Sequence, residues 1–320
     1  MQSSKRTLLS LSVAGVIVLA ACGENSESSS QAEWDSFSPE EFPDVFLAGE
    51  FEHIYEQTSN EFQENVPYDE FESLGKNFSR EADTFELVTD IELNGLMEYQ
   101  WMNRDGTKGI RSYFSEDYTI EGLRLMPLDF PSESEAAFTE NTYRMPVNND
   151  WVVFWGGTNE LVNYHYPYEN QRYAYDLVVK KDGNTFRGDP EDKESYHAFE
   201  KAVLAPASGK VVSVEDGIPD NTPQIETNEE APLGNHVIIE HGHGEFSVIG
   251  HCRKNSLIVS EGDEVFPGDV LGLAGNSGNS SEPHIHFHVA DGADWQEAKS
   301  LRIRFSDGEE PVRGEDVTGF

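Results

Sequence analysis

Hydrophobic and polar positions recur along this chain with two different periods. After Ser38-Pro39-Glu40-Glu41, Phe42, Val45, Phe46, Gly49, Ile54 and Tyr55 fall at near-helical spacing, and Phe71 and Leu74 mark a second helical pattern. The period then shortens to two. "FELVTDIEL", "LMEYQWMNRDGTKGIRSYF" and "YTIEGLRLMPL" read as strands, with Asp105-Gly106 as a hairpin turn. Helices followed by a strand meander predict a small α+β domain over residues 34–128. Residues 129–150 read as an acidic, loop-rich linker. From Trp151 onward, short alternating runs such as "WVVFWGG", "RYAYDLVV", "GKVVSVEDG", "GNHVIIEHG" and "FSVIGH" are broken by Gly, Asn, Asp and Pro. That rhythm predicts a mainly β domain over 151–300, a sandwich or barrel, followed by a tail at 301–320. One helical turn is expected near Tyr196 to Phe199.

One run stands apart. "PHIHFHV", Pro283 to Val289, uses three of the chain's 10 histidines at alternate positions. In an extended strand His284, His286 and His288 point to one face, and Ile285, Phe287 and Val289 to the other. A row of imidazoles opposite an apolar face points to a metal or acid–base site, because imidazole is both a common metal ligand and the side chain that titrates near neutrality.

Composition narrows the partners. The chain has 22 Lys and Arg against 60 Asp and Glu, a formal charge of −38, with 37% apolar residues. Such a surface repels nucleic acid, so none is expected as a partner. At the N-terminus Lys5 and Arg6 precede the apolar run "LLSLSVAGVIVLAAC", too short for a comfortable membrane span. Its ending, Leu19-Ala20-Ala21-Cys22, resembles a bacterial lipobox. That resemblance implies a signal peptide over residues 1–21, cleavage before Cys22, and a lipid anchor on the Cys22 sulfur. It places the protein extracytoplasmically at the cell envelope, with residues 22–33 as a flexible tether. The second cysteine, Cys252, then has no intramolecular partner; strand alternation turns it away from His251 as a buried apolar thiol.

Two family resemblances follow. The helix-plus-meander pattern of residues 34–128 is similar to the nuclear-transport-factor-like modules found ahead of some secreted hydrolases. More specifically, "NYHYPYENQRYAYDL", "APASGKVVSVEDG", "GNHVIIEHGHGEFSVIGHC" and "VSEGDEVFPGDVLGLAGNSGNSSEPHIHFHV" resemble, in order, the motifs of lysostaphin-type zinc endopeptidases. That family cuts peptide cross-links in bacterial peptidoglycan. The resemblance implies an antiparallel β fold of the duplicated hybrid motif kind, a Zn2+ cofactor, and stem or bridge peptides of peptidoglycan as partners. In that family two ligands come from His-x-x-x-Asp and a third from the second histidine of His-x-His. Here Asp176 and His286 fill two of those places, but Arg172 stands four before Asp176, and a guanidinium cannot ligate. His165 is the nearest replacement if a hairpin around Pro167 to Asn170 brings it beside Asp176. The implied metal set is therefore His165, Asp176 and His286. Catalytic zinc takes three protein ligands and leaves a position for water, whose pKa falls to about 7.

By the same resemblance His251 and His284 are the catalytic imidazoles. His288, where the family usually has an acid, is either an outer partner orienting a ligand or an exposed residue. Arg172 either binds a substrate carboxylate or pairs with an acid. His236, His241 and His243 read as surface or hairpin residues, and His197 as structural. Three functional readings stand: a lipid-anchored zinc endopeptidase of the cell wall; a catalytically inactive relative that binds peptidoglycan or activates another wall hydrolase; and, from "PASGKVVSV" and "VSEGDEVFPGDVLGL", a biotinyl/lipoyl-like or adaptor barrel of an envelope transport assembly. The last has no Met-Lys-Met-like attachment site and leaves the histidine row unexplained.

Overall fold

The aromatic residues that set the first helical pattern are drawn to one side of the meander they precede. In the computed structural model, which describes residues 35–128, 137–148 and 151–320, four helices cover a four-stranded sheet: α1 (Phe42–Ala48), α2 (Phe51–Glu56), α3 (Asn60–Asn65) and α4 (Tyr68–Ser79). The sheet is an antiparallel meander of β1 (Phe85–Leu93), β2 (Leu96–Asn103), β3 (Lys108–Phe114) and β4 (Ile120–Pro127). Ser38 N–H donates to Glu41 Oε2 at 2.8 Å ahead of α1, half of the reciprocal bonding that starts many helices. Phe42, Phe46, Phe51 and Phe71 from the helices bury against Trp101 and Phe114 of the sheet, with Phe42 stacked on Trp101 at 5.2 Å. Gly106 N–H closes the β2–β3 turn on Asn103 O at 2.9 Å. The leader, Cys22 and the tether lie outside the described residues.

A second sheet carries the chemistry. Its strands are β5 (Phe138–Tyr143), β6 (Trp151–Trp155), β7 (Tyr175–Val178), β9 (Gly209–Glu215), β10 (Asn235–Glu240), β11 (Phe246–Cys252), β12 (Glu264–Val265), β14 (Ile285–Ala290), β15 (Ser300–Phe305) and β16 (Asp316–Val317), while β8 (Ala202–Leu204) and β13 (Val270–Leu273) form a separate pair. The main order is β12-β9-β10-β11-β14-β7-β6-β16, and β15 joins β14 to β5. All of these pairings are antiparallel except β5 with β15. Ile285, Phe287 and Val289 enter the main core with Val237, Ile249, Leu177 and Val153. The opposite face is covered too: Val248 and Ile238 are buried with Leu233, and Trp295 packs on them.

Two stretches differ from the expected linker and tail. Residues 138–143 and 300–305 pair with each other, and Asp316–Val317 pair with Trp151 and Val152. Glu245 anchors β5, accepting hydrogen bonds from the backbone of Asn141 and from Tyr143 Oη at 2.8 Å. The turn expected at Tyr196–Phe199 lies slightly earlier, as a 3-10 helix at Lys193–Ser195 capped by Asp192. Phe37–Phe320 form one compact unit.

Candidate metal centre

Register brings the motif residues together. His286 of β14 sits opposite Asp176 of β7 on one side and Gly250 of β11 on the other. His286 Nδ1 lies 2.9 Å from Asp176 Oδ1. His165 Nε2 lies 3.5 Å from Asp176 Oδ2, and the ligand atoms of His165, Asp176 and His286 all fall within 4.8 Å of one another. Each of these residues is at most 3% exposed, so the three form a dry pocket of donors rather than a solvated cluster of acids.

His165 reaches this place differently from the expected hairpin. Residues 159–173 run through successive turns with no strand among them. Asn163 holds them: its side-chain amide donates to Gly157 O, Arg172 O and Ala174 O at 3.1 to 3.2 Å. Its Oδ1 accepts from His165 N–H at 3.1 Å and lies 3.0 Å from His165 Nδ1. An amide oxygen only accepts, so Nδ1 carries the His165 proton and Nε2 presents a lone pair to Asp176. Asn163 escaped the sequence reading, although it stands two residues before His165. Arg172 bonds within its own loop: its Nε donates to Tyr166 O at 3.1 Å and its guanidinium lies 5.6 Å from the Tyr166 ring centre.

The two further imidazoles have fixed tautomers. His251 Nδ1 donates to Ser277 O at 2.8 Å, and His284 Nδ1 to Glu282 O at 2.8 Å. Nε2 is therefore the acceptor in both rings. The rings are 4.6 Å apart, and the His251 ring lies 5.9 Å from that of His286. His284 Nε2 is buried without a hydrogen-bond partner and lies 3.7 Å from Asp176 Oδ1. The Gly-Asn-Ser-Gly loop that carries these contacts approaches Gly234 closely. A Cβ on Gly278 would stand 2.4 Å from Gly234 N, and Gly278 has φ +85°, so only glycine fits there.

His288 is fully buried, which excludes the exposed alternative. Its Nδ1 lies 2.9 Å from His286 Nε2. His241 is also more enclosed than expected of a surface residue, bonding Ser208 O and Ser247 Oγ, each at 2.8 Å. His243 is an exposed turn residue beside Glu140. Cys252 is buried in the main core.

Burial decides the charges. It pushes His165 down to about 3 and holds His251 and His288 well below the usual imidazole range. Burial alone would raise the Asp176 carboxyl. The surrounding rings of His165, His284 and His286, with the hydrogen bond from His286, outweigh it and hold that carboxyl well below its ordinary range. The Asp176 carboxylate thus faces the nitrogens of His165, His284 and His286 in a buried site. Two imidazoles and a carboxylate converging in this way could hold a metal ion.

Residues 195–298 match the family model for Peptidase family M23. The match takes in His251, His284 and His286; His165 and Asp176 lie upstream of it. Peptidoglycan DD-endopeptidase ShyA of Vibrio cholerae is 30% identical over 123 residues, covering 37% of this chain and 26% of that protein. An uncharacterized metalloprotease of Haemophilus influenzae is 31% identical over 93 residues, 27% of this chain and 19% of that protein. The chain thus spans about a quarter or less of the length of these curated relatives. Among solved structures, the catalytic domain of lysostaphin from Staphylococcus simulans has 19% identity and a TM-score of 0.29, covering 48% of this chain and 88% of that one. The stretch similar to Peptidase family M23 thus spans the strand of alternating histidines and the loop that leads into it.

Proposed function

We propose that this protein is a zinc-dependent endopeptidase that hydrolyses peptide cross-links of peptidoglycan, anchored through lipid on Cys22 at the outer side of a bacterial membrane. The observation that carries the reading is the convergence of His165, Asp176 and His286 within 4.8 Å, beside two imidazoles whose Nε2 atoms are acceptors. The family match and the peptidoglycan endopeptidase of Vibrio cholerae support the substrate class, and the lipobox-like Leu19-Ala20-Ala21-Cys22 supports the anchor.

His165 Nε2, an Asp176 oxygen and His286 Nδ1 would hold the metal, which supplies Lewis acidity toward a peptide carbonyl and lowers the pKa of water in the site. With Nδ1 holding the ion, a neutral His286 would carry its one proton on Nε2, facing His288 Nδ1 at 2.9 Å. Asn163 does the same service for His165. His284 Nε2, unpartnered beside Asp176, is the atom placed to take a proton during attack on the peptide carbon and return it to the departing amine. His251, its ring 4.6 Å from that of His284, offers through Nε2 a second acceptor, for a water or a peptide N–H. Such groups contribute on the order of 10² to 10⁴ in rate each.

The inactive reading rested on Arg172 at a ligand position; His165 supplies the imidazole that Arg172 lacks. The test is metal content together with release of soluble muropeptides from purified sacculi. About one zinc per chain is expected, lost in His286→Ala and Asp176→Ala along with release. Zinc retained without release from several wall types would overturn hydrolysis, and a wild-type chain that holds no metal would overturn the whole reading.

A further inference from the structure

The α+β module is joined to the β domain by buried charge, and that joint lies at the base of the loop bearing His165. Glu98 of β2 and Arg313, just before β16, are each 1% exposed. They make a two-pronged pair, Arg313 Nε to Glu98 Oε1 at 2.7 Å and Nη2 to Oε2 at 2.8 Å. Arg111 of β3, 5% exposed, stands 3.6 Å from the same carboxylate. Both guanidiniums lie over Trp155, at 4.7 Å for Arg111 and 3.9 Å for Arg313. Arg111 Nη2 also donates to Leu161 O, and the fully buried Leu161 packs with Met126 and Leu128 of the module. The approach is close: a Cβ on Gly109 would stand 2.9 Å from Leu161 Cδ1.

The path continues to the metal site. The Trp155 ring meets the edge of Tyr164 at 5.3 Å, and Tyr164 lies against the His165 ring at 3.9 Å. Trp155 and Leu161 are thus both held from the module side, and His165 follows four residues after Leu161. We propose that the module positions His165 for metal binding, with Arg111 as the positioning residue that fastens the ligand loop. The role in metal binding rests on the function proposed above; the fastening of the loop does not. A guanidinium suits the task because its flat plane lies over Trp155 while Nη2 reaches the Leu161 carbonyl and its charge faces the Glu98 carboxylate, a combination that a lysine's point charge does not reproduce.

The test uses the full chain with Arg111→Met and, as a second route to the same joint, Gly109→Ala, which presses on Leu161. Arg313 remains paired with Glu98 in both. Amide hydrogen exchange over residues 157–166 is measured without metal, with strands β9 to β11 as internal reference. Zinc affinity is measured against a competing chelator, and the visible absorption of the cobalt-loaded chain reports ligand geometry. Expected are faster exchange confined to the loop, zinc affinity lower by about 10- to 100-fold, and an altered cobalt spectrum. Unchanged loop exchange in both variants overturns the proposal. So does faster exchange with zinc affinity and cobalt spectrum intact, since the loop would then not place a ligand. A wild-type chain that binds neither metal sinks the zinc reading instead, and the exchange comparison still decides whether Arg111 fastens the loop.

Discussion

His288 Nδ1 lies 2.9 Å from His286 Nε2, so the third histidine of the alternating run holds the second. A carboxylate in that place would pull harder on the His286 proton; a neutral imidazole fixes the ring with less added basicity. His288→Phe keeps the apolar contacts and removes a buried Nε2 that has no partner. Zinc affinity is expected to fall by about 10- to 100-fold, while the unfolding midpoint of the metal-free protein holds or rises. Chelator competition and urea titration check the two halves.

Asn163 carries five contacts that nothing nearby replaces. Asn163→Ala leaves buried carbonyls and the His165 ring without partners, at a cost on the order of 1–3 kcal/mol. Weaker zinc binding should accompany the lower stability. A variant as stable and as tight as the wild type would remove Asn163 from the site.

Acid should destabilise the metal-free protein well above the range where carboxylates titrate. Unfolded imidazoles take a proton near pH 6.5, whereas folded His165 resists until about 3, and His251 and His288 also stay far below the ordinary value. Between those limits the unfolded chain binds more protons, so stability is full above about pH 6.5 and is lost as pH falls below it. Each such ring shifts the unfolding equilibrium by roughly tenfold per pH unit. Urea midpoints at pH 7.5 and 5.0 in the presence of a chelator measure this, and equal midpoints would contradict neutral buried rings. Zinc binding weakens in the same direction, because protons compete for the ligand nitrogens.

Cys252 should be inert in the native state. Burial, then the fields of Asp216 and Asp220, push its thiol up to about 12, and it sits in the main core. A thiol reagent is expected to label it only after unfolding. Rapid labelling of the native protein would place it at an open surface.

Much of this site can be read from residue order alone, because a strand converts alternation into a face. That rule places His284, His286 and His288 together and puts Ile285, Phe287 and Val289 in the core. Asp176 follows from the family motif. His165 is harder: it is found by the absence of a histidine at position 172, yet its approach depends on Asn163 and a chain of turns, which have no period to detect. β5 and β16 stayed hidden for another reason. "FTENTY" is short and polar, and its partner β15 lies more than 150 residues away, so only tertiary pairing makes it a strand. The joint between Glu98, Arg111 and Arg313 has no local signature either, since Arg313 lies more than 200 residues beyond the other two, which share the β2–β3 hairpin.

His251 has φ +62°, where the pairing of β10 with β11 slips register between Asn235 and Val237. The ring thereby leaves the strand's alternation and turns toward His284. A β-branched replacement would resist that backbone angle and disturb the neighbouring Cys252 and Gly250, whereas asparagine accepts it readily. Kinetic comparison of His251→Asn with His251→Val would therefore separate two debts that alanine scanning merges: the missing nitrogen, and the twist of chain needed to deliver it.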